Sequence, residues 1–151
     1  MLRRNNIEKI LVIAALAVAA GSSARAQVAA PEPYHLSHLR GVFADEKGNP
    51  ITDAAVTLEQ NDRPIYSTET DRSGKFEIKH VSGRYWLHVD KRGYSIVHRE
   101  VIVGVEAVTY FHGDTLYVIA GPGACSDDCS QVFTSKGKFD QAIRRNVGHT
   151  N

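Results

Sequence analysis

From residue 36 onward, hydrophobic and polar positions alternate with a period of two rather than 3.6. Leu39, Gly41 and Phe43 fall on one side of a strand and Arg40 on the other. Ala54, Val56 and Leu58 alternate with Ala55, Thr57 and Glu59, and Phe76 and Ile78 alternate with Lys75, Glu77 and Lys79. Tyr85, Leu87 and Val89 alternate with Arg84, Trp86, His88 and Asp90. Such alternation marks antiparallel strands buried on one face only. Runs at Ser95–Val103 and Thr115–Ala120 extend the set to about seven short strands, the number a sandwich requires. The breaks carry turn chemistry. Asp45-Glu46-Lys47-Gly48-Asn49-Pro50 combines a glycine suited to positive φ with a proline that ends pairing. Asp71-Arg72-Ser73-Gly74 fits a hairpin loop, and Ser82-Gly83 and Arg92-Gly93 fit turns. No segment in 36–120 reads as an amphipathic helix.

The first 26 residues have a different pattern. Arg3, Arg4 and Lys9 precede an apolar run from Ile10 to Ala20, followed by Gly21-Ser22-Ser23 and Ala24-Arg25-Ala26. This is the layout of a secretory signal peptide with a small-residue cleavage site. The run is shorter than the ~20 apolar residues of a membrane-spanning helix, so no span is expected after cleavage. The mature chain is expected to begin near Gln27 and to be periplasmic or secreted. Residues 27–35 then form a leader that Pro31 and Pro33 bar from helix formation, residues 36–120 the sandwich, and residues 121–151 a tail.

Cleavage also changes the charge. The whole chain has 18 basic and 17 acidic residues. The signal holds Arg3, Arg4, Lys9 and Arg25 against Glu8, leaving 14 basic and 16 acidic residues, a formal −2. A field that would hold nucleic acid is absent, so that class of partner is set aside. Two cysteines, Cys125 and Cys129, lie in the exported part and are expected to form a disulfide closing a tight loop. A metal site from these thiols with Asp127 and Asp128 is the alternative. In the tail, Lys138–Asn146 is either a short helix with Phe139, Ala142 and Ile143 on one face or a frayed end.

The ordered series now has a recognisable form. Leu39-x-Gly41-x-Phe43, Asp45-x-x-Gly48-x-Pro50-Ile51 and Ala54-x-Val56-x-Leu58 are followed by Thr70-Asp71-x-x-Gly74-x-Phe76-x-Ile78. Gly83-x-Tyr85-x-Leu87-x-Val89 and Gly93-Tyr94 complete it. Over roughly 36–120 this resembles the carboxypeptidase regulatory-like family, one of the prealbumin-like, or transthyretin-like, folds. The resemblance implies an all-β, seven-stranded Greek-key sandwich that serves as an accessory or adhesive module rather than an enzyme.

No catalytic, cofactor or metal site is expected. His35-x-x-His38 lies in an extended segment, where residues three apart point to opposite faces and do not converge on one ion. Intradiol dioxygenases resemble this pattern in places, but they hold iron with two Tyr and a closely spaced His pair. Beside Tyr110, His112 has no second His within two residues. Hydroxyisourate hydrolases end in Tyr-Arg-Gly-Ser, whereas this chain ends Arg145-Asn146-Val147-Gly148-His149-Thr150-Asn151. No Gly-x-Ser-x-Gly nucleophile turn is present.

The expected function is a non-catalytic exported accessory or interaction module of the cell envelope or extracellular space, its partner an envelope protein or polysaccharide. The alternative is a carbohydrate-binding module with a starch-binding-like sandwich. The candidate contact residues are Trp86 and His88, which period two turns outward. A large outward aromatic either anchors a ligand or is covered by the tail through Val132, Phe133 or Phe139.

Overall fold

The computed structural model describes residues 31–104, 114–125 and 129–148. The signal segment, the start of the leader, Tyr110, His112, Asp127 and Asp128 lie outside the described residues. In chain order the strands are β1 (Tyr34–Leu36), β2 (Leu39–Ala44), β3 (Ala55–Gln60), β4 (Arg63–Glu69) and β5 (Lys75–Ile78). They continue as β6 (Gly83–Asp90), β7 (Val97–Val103), β8 (Leu116–Ile119) and β9 (Gln131–Phe133), followed by helix α1 (Lys136–Gly148).

Two sheets face each other, one ordered β1-β7-β6-β3-β4 and the other β5-β2-β8-β9. The β1–β7 and β2–β8 pairs are parallel and the remaining pairs antiparallel. Between the sheets lie Leu39 and Phe43 of β2, Val56 and Leu58 of β3, Phe76 of β5, Leu87 and Val89 of β6, and Val101 and Val118. Each such side chain contributes about 1.5–3 kcal/mol by leaving water. A one-residue slip of β6 would exchange Leu87 and Val89 for Trp86 and His88, so burial holds the register that the alternation implies. This is the all-β sandwich expected.

The edges differ from expectation. Nine strands are described against about seven, and the excess is short or exposed. Tyr34–Leu36, whose first two residues the sequence places in the leader, pairs with Val101–Val103 and buries Leu36. β4 is exposed along nearly its whole length and contains Pro64, which an edge strand tolerates. It is joined to β3 by a tight hairpin whose central residues, Asn61 and Asp62, have φ of 53° and 58°. The Asp71–Gly74 loop has its expected left-handed glycine, with φ 70°. It does not, however, make a hairpin within one sheet, because β4 and β5 enter different sheets. It is a corner of the sandwich, as is Asp45–Gly48 between β2 and β3. In each corner the aspartate carboxylate accepts backbone N–H groups, from Lys47 and Asn49 to Asp45 and from Ser73 and Lys75 to Asp71.

The tail packs on the sandwich. β9 adds to β8, and α1 lies across the outer face of the four-stranded sheet. There Phe139 and Ala142 meet Ala44 and Ile119, with Tyr117, Phe133 and Ile143 around them. Among the described residues, no helix is long and apolar enough to cross a membrane.

Candidate functional site: the outer face of the five-stranded sheet

β3, β6 and β7 are consecutive neighbours, and their registers place outward residues in rows. Thr57, His88 and His98 form one row, and Glu59, Trp86 and Glu100 the next. Trp86 is 43% exposed. Its indole stacks on the His98 imidazole, with centroids 4.6 Å apart and ring planes 17° apart. His88 is half-buried and meets His98 edge-on at 6.0 Å. The Glu59 carboxylate reaches His98 Nε2 at 3.9 Å from the far side of β6. Arg84 donates to Glu100 at 2.5 Å, giving the patch a fixed ion pair at its rim.

Both residues chosen from the sequence, Trp86 and His88, therefore lie on one outward surface. Glu59, Arg84, His98 and Glu100 join them and were not singled out. Their outward direction is implied by alternation. What brings them together is the register of β3 and of β7 on β6. The described part of the tail does not cover Trp86, contrary to one of the two expectations. Phe133 and Phe139 belong to elements that pair with or pack on β8, on the other sheet, and Val132 packs into the core. The pairing of β9 with β8, in the four-stranded sheet, decides this.

Cys125 and Cys129 are joined in a disulfide with Cα atoms 6.2 Å apart. It lies in the β8–β9 connection, beside a buried contact in which Ser95 Oγ and Ser130 Oγ are 2.8 Å apart. Ser95 N–H also donates to the Gly121 carbonyl, tying the 91–96 connection to the start of the cysteine loop. Of the two spaced histidines, His35 is in β1 and His38 is exposed before β2.

A concavity of about 630 Å³ opens on the outer face of the four-stranded sheet. Arg40, Lys75 and Lys136 line it together with Glu69, Asp71 and Glu77, so its charges balance and select no ligand sign.

Fold and surface together define a small two-sheet β-sandwich with an aromatic and histidine patch on regular strands. Residues 38–112 match the family model of the carboxypeptidase regulatory-like domain. No curated protein matches the chain. Among solved structures, that of Klebsiella pneumoniae 5-hydroxyisourate hydrolase is similar at a TM-score of 0.47 and 14% identity. The similarity covers 71% of this chain and 100% of that one.

Proposed function

We propose that the chain is a non-catalytic, exported interaction module that engages an envelope protein through the outer face of β3, β6 and β7. The observation that carries this reading is Trp86, a large aromatic left open on a rigid strand while α1 shields the opposite sheet. An aromatic presented this way contributes contact area at small cost in side-chain entropy. The family match supports an accessory role, and the Cys125–Cys129 disulfide fits an oxidising compartment.

A polysaccharide ligand is the second reading. It is favoured by the polar groups of Glu59, Arg84 and Glu100 around the indole, which suit the edges of a sugar ring stacked on it. Binding of the purified protein to separated envelope-protein and polysaccharide fractions, each compared with Trp86→Ala, tests both. Retention by the protein fraction that Trp86→Ala abolishes is the expected result. Retention by the polysaccharide fraction, abolished in the same way, would move the assignment to the second reading. Binding that Trp86→Ala leaves intact, or no binding to either fraction, overturns both.

A further inference from the structure

Three donor atoms of metal-binding type meet on the patch. One ligand atom each from Glu59, His88 and His98 lies within 4.8 Å of the other two. They come from three adjacent strands, β3, β6 and β7, whose backbones are fixed by pairing on both sides of β6. In a tetrahedral site with bonds of ~2.0–2.1 Å, ligand atoms stand ~3.3–3.4 Å apart. The Glu59 to His98 separation of 3.9 Å is already near that value. Glu59 and His88 are half-buried, whereas His98 is exposed and gives solvent a route to the set.

The neighbours suit such a site. Trp86 lies flat against the His98 ring, which limits how that imidazole can turn. Ring orientation by surrounding groups is a regular part of metal affinity. Two imidazole nitrogens and one carboxylate oxygen favour zinc or copper over calcium or magnesium, which prefer all-oxygen sets. Three protein ligands also leave at least one coordination position for water or for a donor from a bound partner.

We propose that Glu59, His88 and His98 form a binding site for a divalent transition-metal ion of the zinc and copper type. The site does not depend on the partner proposed above and can stand if that reading fails.

Equilibrium dialysis of the purified, disulfide-intact protein against Zn²⁺, with metal content measured per chain, tests it. The expected result is one ion per chain. His88→Ala and His98→Ala should each lower affinity at least about tenfold, Glu59→Gln should lower it less, and His38→Ala and His80→Ala should leave it unchanged. The sequence contains a single tryptophan, so Trp86 fluorescence supplies an independent readout. Cu²⁺ should quench it saturably, and loss of both histidines should remove the saturable quenching. Should an alanine variant fail to fold by circular dichroism, His88→Gln and His98→Gln remove the ligand while retaining polar bulk. The proposal is overturned by absence of Zn²⁺ binding, by binding that survives loss of both histidines, or by saturable Cu²⁺ quenching that survives loss of both histidines.

Discussion

Thr70 is 2% exposed and satisfies two backbone groups with one hydroxyl. Its Oγ1 accepts from the Ala54 N–H at 2.9 Å and donates to the Ile51 carbonyl at 2.8 Å. Thr70→Val keeps the shape and removes both bonds, leaving a buried donor and acceptor unpaired. The expected cost is about 1–3 kcal/mol, read as a lower urea midpoint at unchanged slope. A midpoint within error of wild type would mean that water replaces the hydroxyl. The two corner aspartates make a different kind of contribution. Burial raises the Asp45 carboxyl, but hydrogen bonds from the Asn49 side chain and from the Asn49 and Lys47 backbone outweigh it and hold the group below its ordinary value. Asp71 is held low chiefly by the Ser73 hydroxyl, with the Lys75 and Ser73 N–H groups adding to it. A folded value below the unfolded one stabilises above the unfolded value, near ~3.9, and is lost as pH falls through the folded value. Denaturation followed from pH 7 to pH 2 should therefore show a flatter acid limb in Asp45→Asn/Asp71→Asn than in wild type. An equal acid limb in both would place the acid sensitivity elsewhere. At this scale the sequence was legible wherever period two sufficed. Phe76, Tyr85 and Leu87 are buried and Lys75, Glu77 and Trp86 exposed, as the alternation required. The meeting of Glu59 with His98 was not legible, because it depends on which residues of β7 lie opposite β6.

Central strands carry a clear signature because both neighbours and one face are protein, and the edges do not. β1, β4, β5 and β9 are the sheet edges. β5 is legible through Phe76 and Ile78, but β4 shows almost no buried position and so no periodicity. Its best signal was the Asn61-Asp62 pair, since two polar residues that tolerate positive φ suit a two-residue hairpin turn. The Asp71–Gly74 corner was read as a hairpin for a related reason. An Asp-x-x-Gly loop closes locally in the same way whether its strands stay together or part into two sheets. Helix α1 was legible from Phe139, Ala142 and Ile143, but the surface it covers was not. Its aromatic contacts, Phe139 with Tyr117 at 5.4 Å and with Phe133 at 6.4 Å, make it part of the four-stranded sheet's packing. Phe139→Ala should cost about 3 kcal/mol through lost transfer energy and the void left behind. Deleting residues from Thr134 onward should destabilise further, since Ala44 and Ile119 become exposed. Acrylamide quenching of Trp86 should not change under that deletion, because the indole is on the other sheet. Increased quenching in a truncated protein that remains folded would show that the tail shields the patch after all.

At the scale of the molecule, export is the expectation on which the chemistry of the cysteine loop depends. The disulfide spans four positions and gives little stabilisation through chain entropy, so its effect is local. What it constrains is the connection between β8 and β9, whose Ser130 meets Ser95 at the end of the 91–96 connection. That connection leads into β7 and hence to His98, one of the residues stacked on the outer patch. The cysteine loop and the proposed binding face are thus joined through the buried serine pair, the Ser95 N–H to Gly121 carbonyl bond and β7. If the chain is exported, signal cleavage after Ala26 should give a mature N-terminus at Gln27 by mass spectrometry, and alkylation without reductant should label neither cysteine. Cleavage and oxidation should appear together. A full-length protein with both thiols reactive would remove the export argument. A cleaved protein with both thiols reactive would separate export from the disulfide and leave the Ser95–Ser130 contact to hold the loop. The second result would also predict that reduction leaves the Trp86 fluorescence unchanged, whereas a loop held by the disulfide should loosen on reduction and alter the environment of the Trp86–His98 stack.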